Sequence, residues 1–336
     1  MKRHDPVFNC LLTALSIMFC FSGLPITVSS SLGTWSSRQP MPTVRDGSAA
    51  AELNGEIYVL GGEHLAIATN IAEVFTPLTN SWRLIAQMNS PRRLFGASGA
   101  NGKVYAIGGG TVSAVTNTVE AYDPGPGPNA NTWTYKMPMI TPRHHFGTAT
   151  IGNKIYAIGG HTGSGPTAAA EVYDTDTDQW QPLPSMQVAR YALSAAAVNG
   201  KIYAIGGLNS SFASLTTVEQ YDPDTNHWTF VSSLPATRYG HAAATMGGRI
   251  YAIGGLTGNG SVRDTQTNLV EEYDSSSDSW SAVAPMITAR SNPSAVGLTD
   301  FLYVFGGGTP GDVPTGVTEE FGFGADVWTH LFGEWN

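Results

Sequence analysis

Histidine, arginine and tyrosine side chains that could bind a ligand are spread over the middle of this 336-residue chain. Imidazole can ligate a metal ion or transfer a proton, guanidinium can bind a carboxylate, and tyrosine can stack on a sugar or a peptide. The candidate ligand-binding residues are Arg93, His144, His145, His161, Tyr191, Tyr239, His241 and Asn292, and His64 belongs with them. What they do depends on the elements that bring them together.

Metal binding is one chemistry that the histidines allow. His64, His144, His145, His161 and His241 could together hold a transition metal. His144 and His145 are adjacent on a segment that we expect to be extended, where neighbouring side chains diverge unless the strand is bulged. We therefore predict no metal site, no cofactor and no catalytic residue.

A second candidate is the acidic run Asp174-Thr-Asp176-Thr-Asp178, which has the alternating spacing of a calcium loop. The sixth position holds Gln179 instead of glycine, and Ser185 stands where a bidentate glutamate would close the site. We interpret the run as a turn.

The candidate residues are embedded in a frame that repeats six times without insertion or deletion. Each copy has a Trp, an Arg ten residues later and a Gly-Gly pair sixteen residues after the Arg. The copies are Trp35/Arg45/Gly61-Gly62, Trp82/Arg92/Gly108-Gly109, Trp133/Arg143/Gly159-Gly160, Trp180/Arg190/Gly206-Gly207, Trp228/Arg238/Gly254-Gly255 and Trp280/Arg290/Gly306-Gly307. Self-similarity at 47 to 52 residues indicates a propeller or a solenoid.

A Glu-x-aromatic motif follows every Gly-Gly pair. The motifs are Glu73/Phe75, Glu120/Tyr122, Glu171/Tyr173, Glu219/Tyr221, Glu271/Tyr273 and Glu319/Phe321. Together with the apolar run before Gly-Gly, they resemble the kelch repeat from Trp35 to Trp328. The resemblance implies an all-β, six-bladed β-propeller with four antiparallel strands in each blade.

The residue types also indicate where the strands of each blade lie. Small residues such as Gly47–Ala51 fit where sheets converge on a central axis, and Asn54-Gly55 is typical of a tight hairpin. The repeated aromatics are expected to pack the blades, and the repeated Arg and Glu to bond to each other and to loop carbonyls. Either the Trp35 or the Trp328 segment can complete the last blade.

The first 30 residues differ from the rest. Lys2 and Arg3 precede an apolar run at Leu11–Phe21 and small polar residues at Ser29–Ser31, which is the order of a signal peptide. We predict a signal peptide at 1–30 and the propeller at 31–336, hence a secreted, extracellular or periplasmic protein. An uncleaved membrane anchor is the alternative.

The positions of the cysteines and the net charge argue against several classes of function. Both cysteines, Cys10 and Cys20, lie in the predicted signal peptide, so the mature chain would have no thiol. The net charge of −9 argues against binding nucleic acid or anionic membranes. Some kelch-type propellers are copper radical oxidases, but that chemistry needs a Tyr cross-linked to a Cys, which the mature chain would lack.

One face of the ring is predicted to bind. The residues after each repeat Arg and the loops after Gly-Gly share that face and differ between blades, and Leu256–Val270 is the longest such loop. Kelch domains commonly receive peptide segments there, which predicts a monomeric recognition module for a protein or peptide. The alternative is a sugar-binding protein or an enzyme similar to sialic acid epimerases, with Arg93 beside His144, His145 or Glu63.

Overall fold

The computed structural model describes residues 33–65, 67–111, 113–127, 130–260 and 264–323. The predicted signal peptide and Trp328 lie outside these residues. Within them, no helix has the length and apolar character needed to cross a membrane.

The described chain forms six four-stranded antiparallel sheets, which confirms the predicted propeller. From the innermost strand outward, the first three blades are Ala49–Leu53, Glu56–Leu60, Ala72–Thr76 and Ser81–Leu84; Gly96–Ala100, Lys103–Gly110, Val115–Asp123 and Thr132–Lys136; and Gly147–Ile151, Lys154–Ile158, Ala170–Asp174 and Gln179–Leu183. The next two are Ser194–Val198, Lys201–Ile205, Val218–Asp222 and His227–Val231; and Ala242–Met246, Arg249–Ile253, Val270–Asp274 and Ser279–Ala282. The sixth is Ser294–Gly297, Phe301–Phe305, Thr318–Gly322 and Thr34–Arg38.

The remaining elements are short and mostly follow the Gly-Gly pairs. Three two-stranded hairpins are formed by Glu63–His64 with Ile67–Ala68, Leu256–Thr257 with Thr265–Gln266, and Gly308–Thr309 with Val313–Pro314. A single turn of 3₁₀ helix covers Pro77–Thr79 in the first blade. The predicted Asn-Gly hairpin is confirmed, since Asn54 and Gly55 have φ of 55° and 79°, as a type I′ turn requires.

The Trp35 segment completes the sixth blade. Trp35 is opposite Phe321 in an antiparallel register, and their ring centroids are 5.2 Å apart. Its indole Nε1 donates to the carbonyl of Ala284 at 2.7 Å. Trp180 donates in the same way to Met137 of the preceding blade at 2.9 Å. The pairing of residues 34–38 with 318–322 therefore closes the ring.

The core consists of apolar clusters between neighbouring blades. Small residues of the innermost strands, such as Ala49 and Ala195, face the central channel, as predicted. Outside them lie buried tyrosines and the Trp of the outer strand, for example Tyr173 against Trp180 with centroids 5.1 Å apart. Burying a ring of this size stabilises the fold by roughly several kcal/mol, because it removes apolar surface from water.

The repeated Arg and Glu form one buried ion pair within each blade, which confirms their structural role. Arg190 Nη2 donates to Glu219 at 2.7 Å, and Nη1 donates to the carbonyls of Gly206 and Thr217 at 3.0 and 2.7 Å. Glu219 also accepts the backbone N–H groups of Gln187 and Val188. The Arg190–Glu219 pair thereby ties the turn before the innermost strand to the Gly-Gly turn and the third strand.

Candidate functional site

The variable residue after each repeat Arg pairs with the residue after the Gly-Gly of the same blade. The six bridges are Asp46 with Glu63, Arg93 with Gly110, His144 with His161, Tyr191 with Leu208, Tyr239 with Leu256 and Ser291 with Gly308. This pairing confirms that the two kinds of loop share one face. We call it the variable-loop face.

The next residue in every blade has left-handed backbone geometry. These residues are Gly47, Leu94, His145, Ala192, Gly240 and Asn292, with φ between 46° and 57°. At five of the junctions the N–H donates to the carbonyl of the equivalent residue in the preceding blade at 2.7 to 2.8 Å. At the remaining junction, between the sixth and first blades, the side chain of Asn292 lies near the carboxyl group of Asp46. We call these six residues, with the hydrogen bonds between them, the belt. The belt fixes the backbone next to the variable side chains. Its four non-glycine residues have the strained backbone conformation that is common at functional sites.

The belt brings His144 and His145 together. We expected their rings to diverge on an extended segment, but His145 has a φ of 51°, which turns the chain so that the ring centroids are 4.7 Å apart. Their Nδ1 atoms form a hydrogen bond. One ring must therefore carry its proton on Nδ1 and the other on Nε2.

An aromatic row extends from this pair across two blades. The ring of His161 stacks on that of His144 with centroids 5.2 Å apart, and Tyr191 is edge-on to His161 at 5.5 Å. Phe212 continues the row 6.4 Å from Tyr191, and 63% of its surface is exposed. We call His144, His161, Tyr191 and Phe212 the aromatic row.

The exposure of Phe212 is imposed by its turn. The side-chain Oδ1 of Asn209 accepts the N–H groups of Ser211 and Ala213, and Phe212 has a φ of 61°. A large side chain held outward in this backbone region is unusual, and such strain is found at binding sites more often than elsewhere.

A cavity of about 370 Å³ lies beside the row, between the loops of the second and third blades. Its walls include Arg93, Val115, His144, His145 and Gly163. The cavity is the size of a small-ligand or side-chain pocket.

Arg93 forms an ion pair with Glu63 of the first blade. Both backbones are fixed, because Glu63 exchanges two hydrogen bonds with Asp46 and Arg93 exchanges two with Gly110. The side chains remain 33% and 19% exposed. This pair is formed between blades, unlike the six repeated pairs.

The two histidines of the cavity are neutral at physiological pH. Burial, together with the nearby positive charge of Arg93 and the neighbouring imidazoles, lowers the pKa of His144 to about 4 and that of His145 to about 3. They therefore offer hydrogen-bonding nitrogens and ring faces. Imidazoles with such a low pKa are weak bases, which does not favour proton transfer.

The other predicted site residues lie apart from this cavity. Tyr239 donates its hydroxyl to Asp264 at 3.1 Å, and Asn292 belongs to the belt. His64 is exposed on the short hairpin of the first blade. His241 is only 5% exposed and packs between blades, where Phe95 and Phe146 stand in the second and third blades. His241 thus lies outside this cavity and lines the central channel.

Neither candidate metal site is assembled by the structure. Among the described residues, no group of three or more His, Cys, Asp or Glu side chains could hold a metal ion. In the acidic run, Asp174 accepts backbone N–H groups, Asp176 bonds to Asn101 and Asn153, and Asp178 bonds to Tyr173. These partners direct the three carboxylates to different places.

Phe212 and Glu63 complete the site, although neither was among the predicted ligand-binding residues. The sequence signal for Phe212 is an aromatic residue inside the polar loop Asn209–Ala213. The signal for Glu63 is its place directly after Gly61-Gly62, where no other blade has an acidic residue.

Comparisons with known families agree with the architecture. The sequence profile of the Attractin/LZTR1 β-propeller family matches residues 104–328, which is more than half of the chain. That of the Kelch motif matches residues 45–89.

Individual relatives match part of the chain. Kelch-like protein 25 of Xenopus tropicalis is 30% identical over 167 residues, which cover 46% of this chain and 27% of the relative. Kelch-like protein 26 of Danio rerio is 30% identical over 166 residues, covering 47% and 26%. The matched stretch thus spans about a quarter of each relative. The solved structure of YjhT has a TM-score of 0.73 and 16% identity, covering 84% of this chain and 96% of that one, which shows a common fold.

Proposed function

The chain is a kelch-repeat β-propeller of the Attractin/LZTR1 β-propeller family, and from that premise we propose that it is an exported recognition module that binds a peptide segment of a partner protein. Kelch-repeat propellers commonly serve as protein-interaction modules. We place the binding site on the variable-loop face. Export remains part of the proposal because residues 1–30 have the order of a signal peptide.

The observation that carries the proposal is the aromatic row beside the 370 Å³ cavity. Aromatic rings contribute a large contact area with few rotatable bonds, which makes them frequent anchors of binding energy. The belt already orders Tyr191 and His144, so little conformational entropy would be lost on binding. Phe212 offers an exposed ring that the propeller itself does not need for packing.

A carbohydrate-active enzyme, the alternative, has less support. It would use Arg93 to bind a carboxylate, but Glu63 is already paired with that guanidinium. The low pKa values of His144 and His145 do not suit a proton-transferring pair. Aromatic stacking alone would still allow a sugar to bind, so oligosaccharides belong in the test.

The test is selection from a random-peptide phage library on three purified proteins. These are the wild type, the double variant Tyr191→Ala/Phe212→Ala and the control Phe230→Ala. Phe230 is 49% exposed on the outer strand of the same blade and does not belong to the aromatic row. We expect peptides to be enriched on the wild type and the control but not on the double variant, with all three melting cooperatively.

Two results would contradict the proposal. One is equal enrichment on all three proteins, which would place peptide binding elsewhere. The other is a thermal shift with neutral oligosaccharides or sugar acids, abolished in the double variant, without any enriched peptide.

A further inference from the structure

We infer that the segment bound at the variable-loop face is rich in proline and lies across the aromatic row in the polyproline II conformation. This inference rests on the proposed function and names the composition and conformation of its partner. Its basis is the set of backbone and side-chain groups that the row presents to a ligand.

The backbone beneath the row is already hydrogen-bonded. His144 and His161 exchange two backbone hydrogen bonds of 3.1 and 2.8 Å. Tyr191 and Leu208 exchange two of 3.0 and 2.8 Å. A ligand that binds as an added strand pairs its own N–H and C=O groups with those of an exposed strand edge. Because these groups are engaged within the propeller, the row recognises a ligand through its side chains.

Two side-chain groups of the row can donate a hydrogen bond to a ligand. Nδ1 of His161 accepts the N–H of Gly163 at 3.0 Å, so a neutral ring carries its proton on Nε2. Neither this Nε2 nor the hydroxyl of Tyr191 has a hydrogen-bond partner among the described residues. A ligand with free carbonyl groups therefore suits both donors.

Polyproline II is the conformation that leaves carbonyl groups free. An α-helix uses its carbonyls for its own hydrogen bonds, and a strand needs partners for its N–H groups as well. A polyproline II segment has no internal hydrogen bonds, and each proline removes an N–H that the row would leave unpaired. Proline-rich segments bind to aromatic surfaces of other folds in this conformation.

The spacing of the rings fits such a segment. Successive centroids along the row are 5.2, 5.5 and 6.4 Å apart. Residues two apart along a polyproline II segment are separated by about 6 Å, so alternate prolines can contact successive rings. The rings of Tyr191 and Phe212 are perpendicular, and together they offer a pyrrolidine ring both a face and an edge.

The turn that carries Phe212 is supported from two sides. Asn209 accepts two backbone N–H groups within the turn. On the other side, Gly260 of the long loop in the fifth blade lies so close that a Cβ atom there would be 1.7 Å from the carbonyl oxygen of Phe212. Proline likewise restricts the unbound peptide, so both partners lose little conformational entropy on binding.

The first experiment is to sequence the peptides that are enriched on the wild type and on two single variants. Tyr191→Phe keeps the ring of the row and removes only the hydroxyl. Tyr135→Phe is the matched control, because Tyr135 is 59% exposed on the outer strand of the second blade and its hydroxyl bonds to Ser90 at 3.1 Å. We expect proline well above its library frequency on the wild type and on Tyr135→Phe.

Fluorescence anisotropy then measures affinity for one enriched peptide and for a counterpart in which alanine replaces every proline. The counterpart should bind the wild type about tenfold more weakly, because alanine restores N–H groups and chain freedom. The proline peptide should bind Tyr191→Phe about two- to tenfold more weakly than the wild type, as loss of one hydrogen bond predicts. Its affinity for Tyr135→Phe should be unchanged.

Peptides that are enriched on the wild type without excess proline, but still lost in Tyr191→Ala/Phe212→Ala, would overturn this inference and leave the proposed function standing. An alanine counterpart that binds as tightly as the proline peptide would do the same. Equal affinity of the proline peptide for Tyr191→Phe and the wild type would overturn the assignment of the Tyr191 hydroxyl as a donor. Enrichment of no peptide at all would overturn both proposals.

Discussion

The six repeated arginine–glutamate pairs, one buried in each blade, contrast with the Arg93–Glu63 pair on the variable-loop face. The Arg190–Glu219 pair has both side chains 0% exposed, and each partner also bonds to backbone groups. The Arg93–Glu63 pair is partly exposed and is formed between two blades. The same chemistry thus serves architecture in one place and is accessible to a ligand in the other.

The difference shows how repetition separates structure from function in a propeller. A pair that every blade needs must be internal to the blade, so its Arg and Glu recur at constant spacing. The Arg93–Glu63 pair occurs once and joins loops of different blades, so we expect a change there to leave the rest of the ring intact. Repetition and burial together therefore point away from the binding site.

The largest expected effect tests the two pairs directly. Arg190→Met should lower the free energy of unfolding by about 3 to 5 kcal/mol, because it leaves Glu219 charged, buried and without its cation. Arg93→Met should lower it by at most about 1 kcal/mol, since its pair is partly exposed. Urea unfolding of both variants measures the two losses. Equal losses would break the distinction between the pairs.

A smaller effect of opposite sign, a gain in stability, is expected on replacing His241. Its polar side chain lies in an apolar environment. Neither ring nitrogen has a hydrogen-bond partner among the described residues, and the equivalent side chains in the second and third blades are Phe95 and Phe146. His241→Phe should raise the free energy of unfolding by about 1 to 3 kcal/mol, since it removes an unsatisfied buried group.

The gain at His241 should depend on pH. Burial lowers the pKa of His241 to about 3, so the native state disfavours the proton that the unfolded chain binds below about pH 6.5. The wild type therefore loses stability as the pH falls from 6.5 towards 3, and the phenylalanine variant avoids this loss. Thermal melts at pH 7 and pH 5 compare the two. A destabilised variant at both values would show that the imidazole has a structural role.

The last effect concerns Asp46, at the junction of the first and sixth blades, and it appears only as the pH rises. Its pKa is raised to about 7, so folding favours its protonated form. Its contribution to stability is complete below the ordinary pKa near 4 and is lost as the pH rises to 7. Asp46→Asn, which keeps the acceptor oxygen, should match the wild type at pH 4 and melt at a higher temperature at pH 8. A constant difference between the two proteins at both pH values would contradict the shift.

The sequence by itself determined the six blades, the four strands in each and the face that carries the variable loops. These follow from local patterns: the spacing of Trp, Arg and Gly-Gly, the Asn-Gly turns and the small residues of the innermost strands. The structural role of the repeated Arg, Glu and Trp could also be predicted, because a residue that recurs at one spacing occupies one environment.

Only the tertiary structure decided which candidate residues meet. The Trp35 segment fills the sixth blade because residues 34–38 pair with residues 280 to 288 positions away. His144 and His145 converge because His145 has a left-handed backbone conformation within a belt that joins successive blades. Glu63 meets Arg93, and Phe212 meets Tyr191, through contacts between loops that share no motif. Such contacts depend on how loops fold over one another and how neighbouring blades pack, and the repeated motif carries no information about either.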